Sequence, residues 1–110
     1  MAGVTTKITG SATGTKAQNA EFLAADAVVL QADVNNSVTV KFAIATIEAV
    51  IIEVTFNSGT SWMSLNSGTE LVAGALYEFY TECNNADLIN IRTPTGGGCT
   101  ILRCRVEERL

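Results

Sequence analysis

The chemically capable side chains of this chain are eleven carboxylates, seven lysines and arginines, three cysteines and one tryptophan, and there is no histidine. That absence removes the Ser/His/Asp and Cys/His triads, His-bearing zinc sites and the paired-histidine metalloprotease helix. The carboxylates are scattered: Glu21, Asp26, Asp33, Glu48, Glu53, Glu70, Glu78, Glu82, Asp87, Glu107 and Glu108. Glu78 and Glu82 fall on one expected strand face, roughly 13 Å apart along it, which is wider than either carboxylate separation used in glycoside hydrolysis. No Asp-x-Asp-x-Asp-Gly calcium loop occurs. Gly96-Gly97-Gly98 lacks the Gly-Lys-Ser/Thr of a phosphate-cradling loop and leads into a strand, so it reads as a flexible hairpin loop. We expect no enzyme, with no catalytic residue, no metal and no cofactor.

Cys83, Cys99 and Cys104 contain no Cys-x-x-Cys pair, so neither a zinc ribbon nor a thioredoxin-like motif is signalled. They read as small buried residues in a reducing compartment, with one disulfide or a cross-link between subunits as the alternative. The odd separation of Cys99 and Cys104 predicts opposite faces of one strand.

Two features suit binding better than turnover. Trp62 follows a turn, and it is either a stacking platform for sugar rings or a core or edge plug; the core is favoured, and an aromatic content of 6% is low for a sugar-binding face. Arg92, Arg103, Arg105 and Arg109 lie in the last 19 positions of the chain. Arg103 and Arg105, two apart, share a strand face. A guanidinium fork suits carboxylates on a partner chain, and a plain solvated face is the other reading.

These groups must be positioned by one small domain, because 110 residues do not hold two cores. The net charge of −4 argues against a nucleic-acid partner, which needs a basic stripe. No apolar run approaches the length of a signal-peptide core or a membrane span, so neither secretion nor a membrane partner is expected. Residues 1–20 are rich in Thr, Gly, Ser and Ala and read as an extended or flexible arm. Within it Val4, Thr6 and Ile8 alternate with polar neighbours, as a strand does when a sheet edge is available. We expect Val4 to Thr9 to order against another chain, by adding to its sheet edge.

Residues 21–110 read as successive short strands. Asp26 to Asp33 holds an apolar run, and Asn35-Asn36-Ser37 turns the chain. Val38, Val40, Phe42 and Ile44 then alternate with Thr39, Lys41, Ala43 and Ala45, the pattern of a half-buried strand. Val50, Ile52, Val54 and Phe56 form the next apolar face. Asn57-Ser58-Gly59-Thr60 and Asn66-Ser67-Gly68 mark tight turns on either side of Ser61 to Leu65. Thr69 to Val72 is a short strand candidate. Tyr77, Phe79 and Thr81 oppose Leu76, Glu78, Tyr80 and Glu82. Ile89 and Ile91 oppose Asn90 and Arg92. In the last strand Leu102, Cys104 and Val106 oppose Ile101, Arg103, Arg105 and Glu107. Helix signal is thin: Ala17 to Leu30 includes good helix formers, and a short turn near Asn19–Ala25 is expected. Seven or eight short strands with regular turns predict an all-β antiparallel sandwich or jelly-roll-like barrel.

The stretches Thr60-Ser61-Trp62-Met63-Ser64-Leu65-Asn66-Ser67-Gly68-Thr69-Glu70-Leu71, Gly74-Ala75-Leu76-Tyr77-Glu78-Phe79 and Asp87-Leu88-Ile89-Asn90-Ile91-Arg92 resemble small β-sandwich decoration (cement) proteins of tailed-phage and related capsids. The similarity runs from about residue 38 to 108 and lies in rhythm, without an invariant motif. It implies a virion structural protein, assembled in a host cytoplasm. Its partners would be other copies of itself, a trimer above all, and a viral capsid protein. No site residue carries over from the family. From the residues themselves we assign the interface to Val4, Thr6, Ile8, Ile101, Arg103 and Arg105. The alternatives are a carbohydrate-binding or adhesive module and a filament subunit.

Overall fold

The alternating faces read above require partner strands, and the computed structural model supplies them for residues 6–29, 38–84 and 86–109; of Thr6 to Thr9 and Arg109 the strand position alone is described. Eight strands are found among these residues: β1 (Thr6–Lys16), β2 (Ala27–Val28), β3 (Val38–Thr46), β4 (Glu53–Thr55), β5 (Met63–Ser64), β6 (Tyr77–Cys83), β7 (Leu88–Arg92) and β8 (Cys99–Arg109). They form two four-stranded antiparallel sheets, with orders β1-β8-β3-β6 and β2-β7-β4-β5. The sheets pack as an open sandwich, not as a closed barrel. Val4, Asp33 and the Asn35-Asn36-Ser37 turn lie outside the described residues.

The core is the meeting of the two inner faces. Val38, Val40, Phe42 and Ile44 of β3 all point into it, as their period predicts, and meet Val50, Ile52, Val54, Leu71, Ile89 and Ile91 from the other side. Each fully buried side chain of this size contributes about 1.5–3 kcal/mol relative to exposure. Phe56 packs edge-on to Phe42, with ring centroids 6.4 Å apart.

The turns follow from local chemistry. Thr60 N–H donates to the Asn57 carbonyl (3.2 Å), and Thr69 N–H to that of Asn66 (2.9 Å). In both, the two central residues have positive φ: Ser58 at 56° and Gly59 at 85°, Ser67 at 53° and Gly68 at 76°. That is the type I′ geometry that matches the twist of a hairpin. The first of these turns joins β4 to β5, which pair as Glu53↔Ser64 and Val54↔Met63.

Three expectations are corrected. From Thr6 on, the expected arm is an edge strand of the domain itself: β1 pairs with β8 of its own chain from Thr6↔Arg109 to Lys16↔Cys99, so Thr6 to Thr9 order within the protomer. Thr69 to Val72 is not a strand; Leu71 plugs the core, and its N–H donates to the Val50 carbonyl (2.9 Å). The short turn expected near Asn19–Ala25 is found as a turn at Gln18 and Asn19 followed by bends over 22–25, with Phe22 and Leu23 buried. The triglycine loop joins β7 in one sheet to β8 in the other, so it is a crossover and not a hairpin.

One irregularity resets the faces of β8. Opposite β3, Ala45 pairs with Arg103 and Thr46 with Ile101, which leaves Leu102 extra. Opposite β1, the register also breaks, between Ala12↔Cys104 and Gly14↔Ile101. A bulge of this kind turns two successive side chains outward and restarts the alternation. Leu102 and Arg103 therefore both face solvent, while Cys99, Ile101, Cys104 and Val106 are all buried. This corrects the expected opposition of Cys99 and Cys104.

Candidate interaction surfaces

The residues proposed from sequence separate into three groups. Arg103 and Arg105 do share one face, the outer face of the β1-β8-β3-β6 sheet, where Arg103 is exposed and Arg105 half-buried. Ile101 is not with them, because the bulge at Leu102 turns it into the core. Thr6 and Ile8 occupy the edge strand opposite Arg109 and Glu107.

The outer face of this sheet is organised in ridges. On β6, Glu78, Tyr80 and Glu82 point outward. On β3, Thr39, Lys41, Ala43 and Ala45 lie beside them, and the two alanines form a floor shielded by longer neighbours. On β8, Arg103, Arg105 and Glu107 make the opposite ridge. The Lys41 ammonium pairs with Glu78 (2.8 Å), and this hydrogen bond raises the lysine above its ordinary value. Thr39 donates to Glu82 (2.7 Å). Arg105 approaches Glu107 at 3.6 Å, a distance beyond a good hydrogen bond. Between Ser11–Thr13 and Leu102–Arg105 the coincident register breaks open a depression of about 420 Å³. An exposed Leu102 and two guanidinium groups line it, a local positive island on an acidic chain.

A second cluster lies on the other sheet. Glu53 of β4 and Arg92 of β7 are direct partners in register, and Arg92 Nε donates to Glu53 Oε1 at 2.9 Å. The Arg92 guanidinium carbon stands 4.2 Å from the centroid of the Trp62 ring. Trp62 is half-buried, so the expected core position is corrected: it sits on the rim with one ring face covered by a cation.

The three thiols are free and buried. Burial pushes Cys83 and Cys104 up to about 12 and Cys99 up to about 11. At Cys83 the nearby Asp87, Glu82 and Glu108 carboxylates add to the burial effect. None of the thiols is therefore a thiolate nucleophile near neutral pH. No group of three or more Cys, Asp or Glu side chains placed to hold a metal ion occurs among the described residues.

Two buried polar residues escaped the sequence reading. Asn90, expected to face outward with Arg92, is buried and ties the Phe22–Asp26 segment to β7. It accepts from Leu23 N–H (3.0 Å) and donates to the Leu23 carbonyl (3.2 Å) and to Asp26 Oδ1 (2.9 Å). An amide in the middle of an apolar strand was the available signal, since a buried polar group must find partners. Glu108 is fully buried; its place two residues after Val106 puts it on the inward face.

The fold and surfaces define an eight-stranded antiparallel β-sandwich, counted over the described residues, with a charged outer sheet face. Comparison with protein-family models, with curated proteins and with solved structures finds no match to this chain.

Proposed function

We propose that the protein is a virion structural component, a decoration or cement protein that oligomerises on a capsid exterior and stabilises it through its sheet surfaces. The observation that carries this reading is the strand pairing. The pairs β1·β8, β2·β7, β3·β6 and β4·β5 belong to one long antiparallel ladder rolled over on itself. That is the jelly-roll arrangement, on which many viral capsid domains are built. The reading draws further support from where the polar side chains are used. Asn90, Thr46, Thr55 and Thr93 are buried and hydrogen-bonded within the fold. Glu78, Lys41, Arg103, Arg105 and Glu107 spread charge across three strands of one sheet face, as in an interface. Attachment would rest on sheet surfaces more than on an arm, because Thr6–Lys16 is spent on the domain's own sheet.

Jelly rolls also carry lectins, so the carbohydrate-binding alternative shares the architecture. Arg92 covers one face of Trp62, and an aromatic content of 6% is low for a sugar-binding face. The capsid reading is tested on virus particles purified from the source that encodes the chain. Peptide mass spectrometry should find the chain at levels comparable with the shell protein, and a specific antibody should label intact particles. A chain present in the lysate but absent from the particles overturns the proposal.

A further inference from the structure

The outer face of the β1-β8-β3-β6 sheet is self-complementary, and we propose that it pairs with the same face of a second copy about a two-fold axis running along β3. The inference deepens the oligomer part of the functional reading and is independent of the capsid part.

The argument starts from register. Ala43 of β3 lies opposite Glu78 on one side and opposite Arg105 on the other. Acid, small residue and base thus stand in one row across three strands. A two-fold axis in the interface, parallel to β3, exchanges the two flanks while keeping each row opposite itself. It brings Glu78 of each copy to Arg105 of the other, twice. The next row does the same with matching chemistry. Lys41 separates Tyr80 from Glu107, so a phenol meets a carboxylate, while Lys41 itself faces its own copy across the axis, each ammonium held by Glu78 of its own chain. Beside the row of Ala45, the exposed Leu76, one residue before β6, comes over Leu102 and Arg103 of the bulge.

Both charged partners are available. Glu78 and Arg105 keep side-chain exposures of 44% and 43% beside their present neighbours. A carboxylate that accepts from Lys41 retains lone pairs for a guanidinium, and such charge-assisted forks are the strong ones. The floor of Ala43 and Ala45 lets the two sheets approach.

Leu76, Tyr80 and Leu102, each more than half exposed, supply apolar surface on this face. With the axis along β3, three strands of each copy overlap, β6 on β8, β3 on β3 and β8 on β6. At about 4.8 Å apart and nine residues long at about 3.4 Å each they span roughly 14 by 30 Å. A pair of such faces buries on the order of 900 Å², the size of a weak, reversible interface.

The test is the solution mass of the full chain, by light scattering or sedimentation without any capsid, for four samples. These are the native chain, Glu78→Arg, Arg105→Glu, and an equimolar mixture of the two variants. The native chain should be a dimer. Each variant alone sets like charges against each other across the axis and should be a monomer. Their mixture restores two opposite-charge pairs and should be a dimer again. Both substitutions lie on the solvent face, and far-ultraviolet circular dichroism with an unfolding curve establishes that each variant is folded.

A native monomer at about 100 µM, a trimer, a native dimer that both variants keep, or a mixture that stays monomeric overturns the proposal; small interfaces are the weak, transient ones, so the mass is read at this high concentration. A dimer in solution with no chain on virus particles removes the capsid reading alone. A chain abundant on particles yet monomeric in solution removes this inference alone.

Discussion

The carbonyl oxygen of Lys16 lies against the α-carbon of Gly98, so close that no β-carbon fits between them. The contact is where β1 leaves β8 after Lys16↔Cys99 and the crossover loop from β7 enters. Gly98 also has φ +69°, in the region that L side chains rarely adopt. The triglycine segment is thus a packing requirement at its third position and a free loop at its first. Gly98→Ala should cost more than about 2 kcal/mol, combining left-handed strain with the clash. Gly96→Ala, which meets open space with ordinary φ, should be near neutral. Urea unfolding midpoints of the two variants check this.

Removal of residues 1–16 gives a second prediction. An independent arm could be deleted without harm to the domain. An edge strand cannot, because β8 would lose its partner from Arg109 to Cys99 and expose a long unpaired edge. The truncated chain should melt lower and aggregate on concentration. Differential scanning fluorimetry and turbidity measure both, and an unchanged melting temperature would restore the arm reading.

Asn90→Ala should be among the most damaging single changes in β7. It strips partners from the buried Leu23 backbone and from Asp26. Unsatisfied buried groups of this kind cost about 1–3 kcal/mol each. Asn90→Asp should also destabilise, since it replaces a donor to Asp26 with a second acceptor. Amide hydrogen exchange should show faster opening of Phe22 to Asp26 than of β3.

Stability should fall at alkaline pH through the cysteines. Their folded values, about 12 for Cys83 and Cys104 and about 11 for Cys99, lie above the ordinary 9.0. The folded chain therefore holds its thiol protons where the unfolded chain releases them. The contribution is complete below pH 9.0 and is lost as pH rises from there toward about 12. Cys104→Ala should flatten this decline. In the native chain at pH 8, all three thiols should resist a disulfide reagent until denaturant is added.

Trp62 is the single tryptophan and reports on its own contact. Arg92→Ala removes the cation over the ring and the partner of Glu53. Loss of about 0.5–1 kcal/mol is expected for a partly exposed cation–π pair. Trp62 emission should shift to the red and become more accessible to iodide. Arg92→Lys should retain part of the effect.

Much of this architecture is local and therefore present in the sequence itself. The inward Val38, Val40, Phe42 and Ile44 follow from a period of two, because successive strand side chains point to opposite faces. The turns at Asn57–Thr60 and Asn66–Thr69 follow from residue types that accept positive φ. Together these determine an all-β chain of short strands and its half-buried faces. What they leave open is which strand pairs with which, since one backbone ladder accepts another without regard to sequence. Tertiary structure alone places β1 on β8 and forms the bulge at Leu102 where neighbouring registers disagree by one residue. That single extra residue sends Ile101 into the core and leaves Arg103 and Arg105 outside. The charged face is therefore a property of three strands in register, set by contacts between residues far apart in the chain.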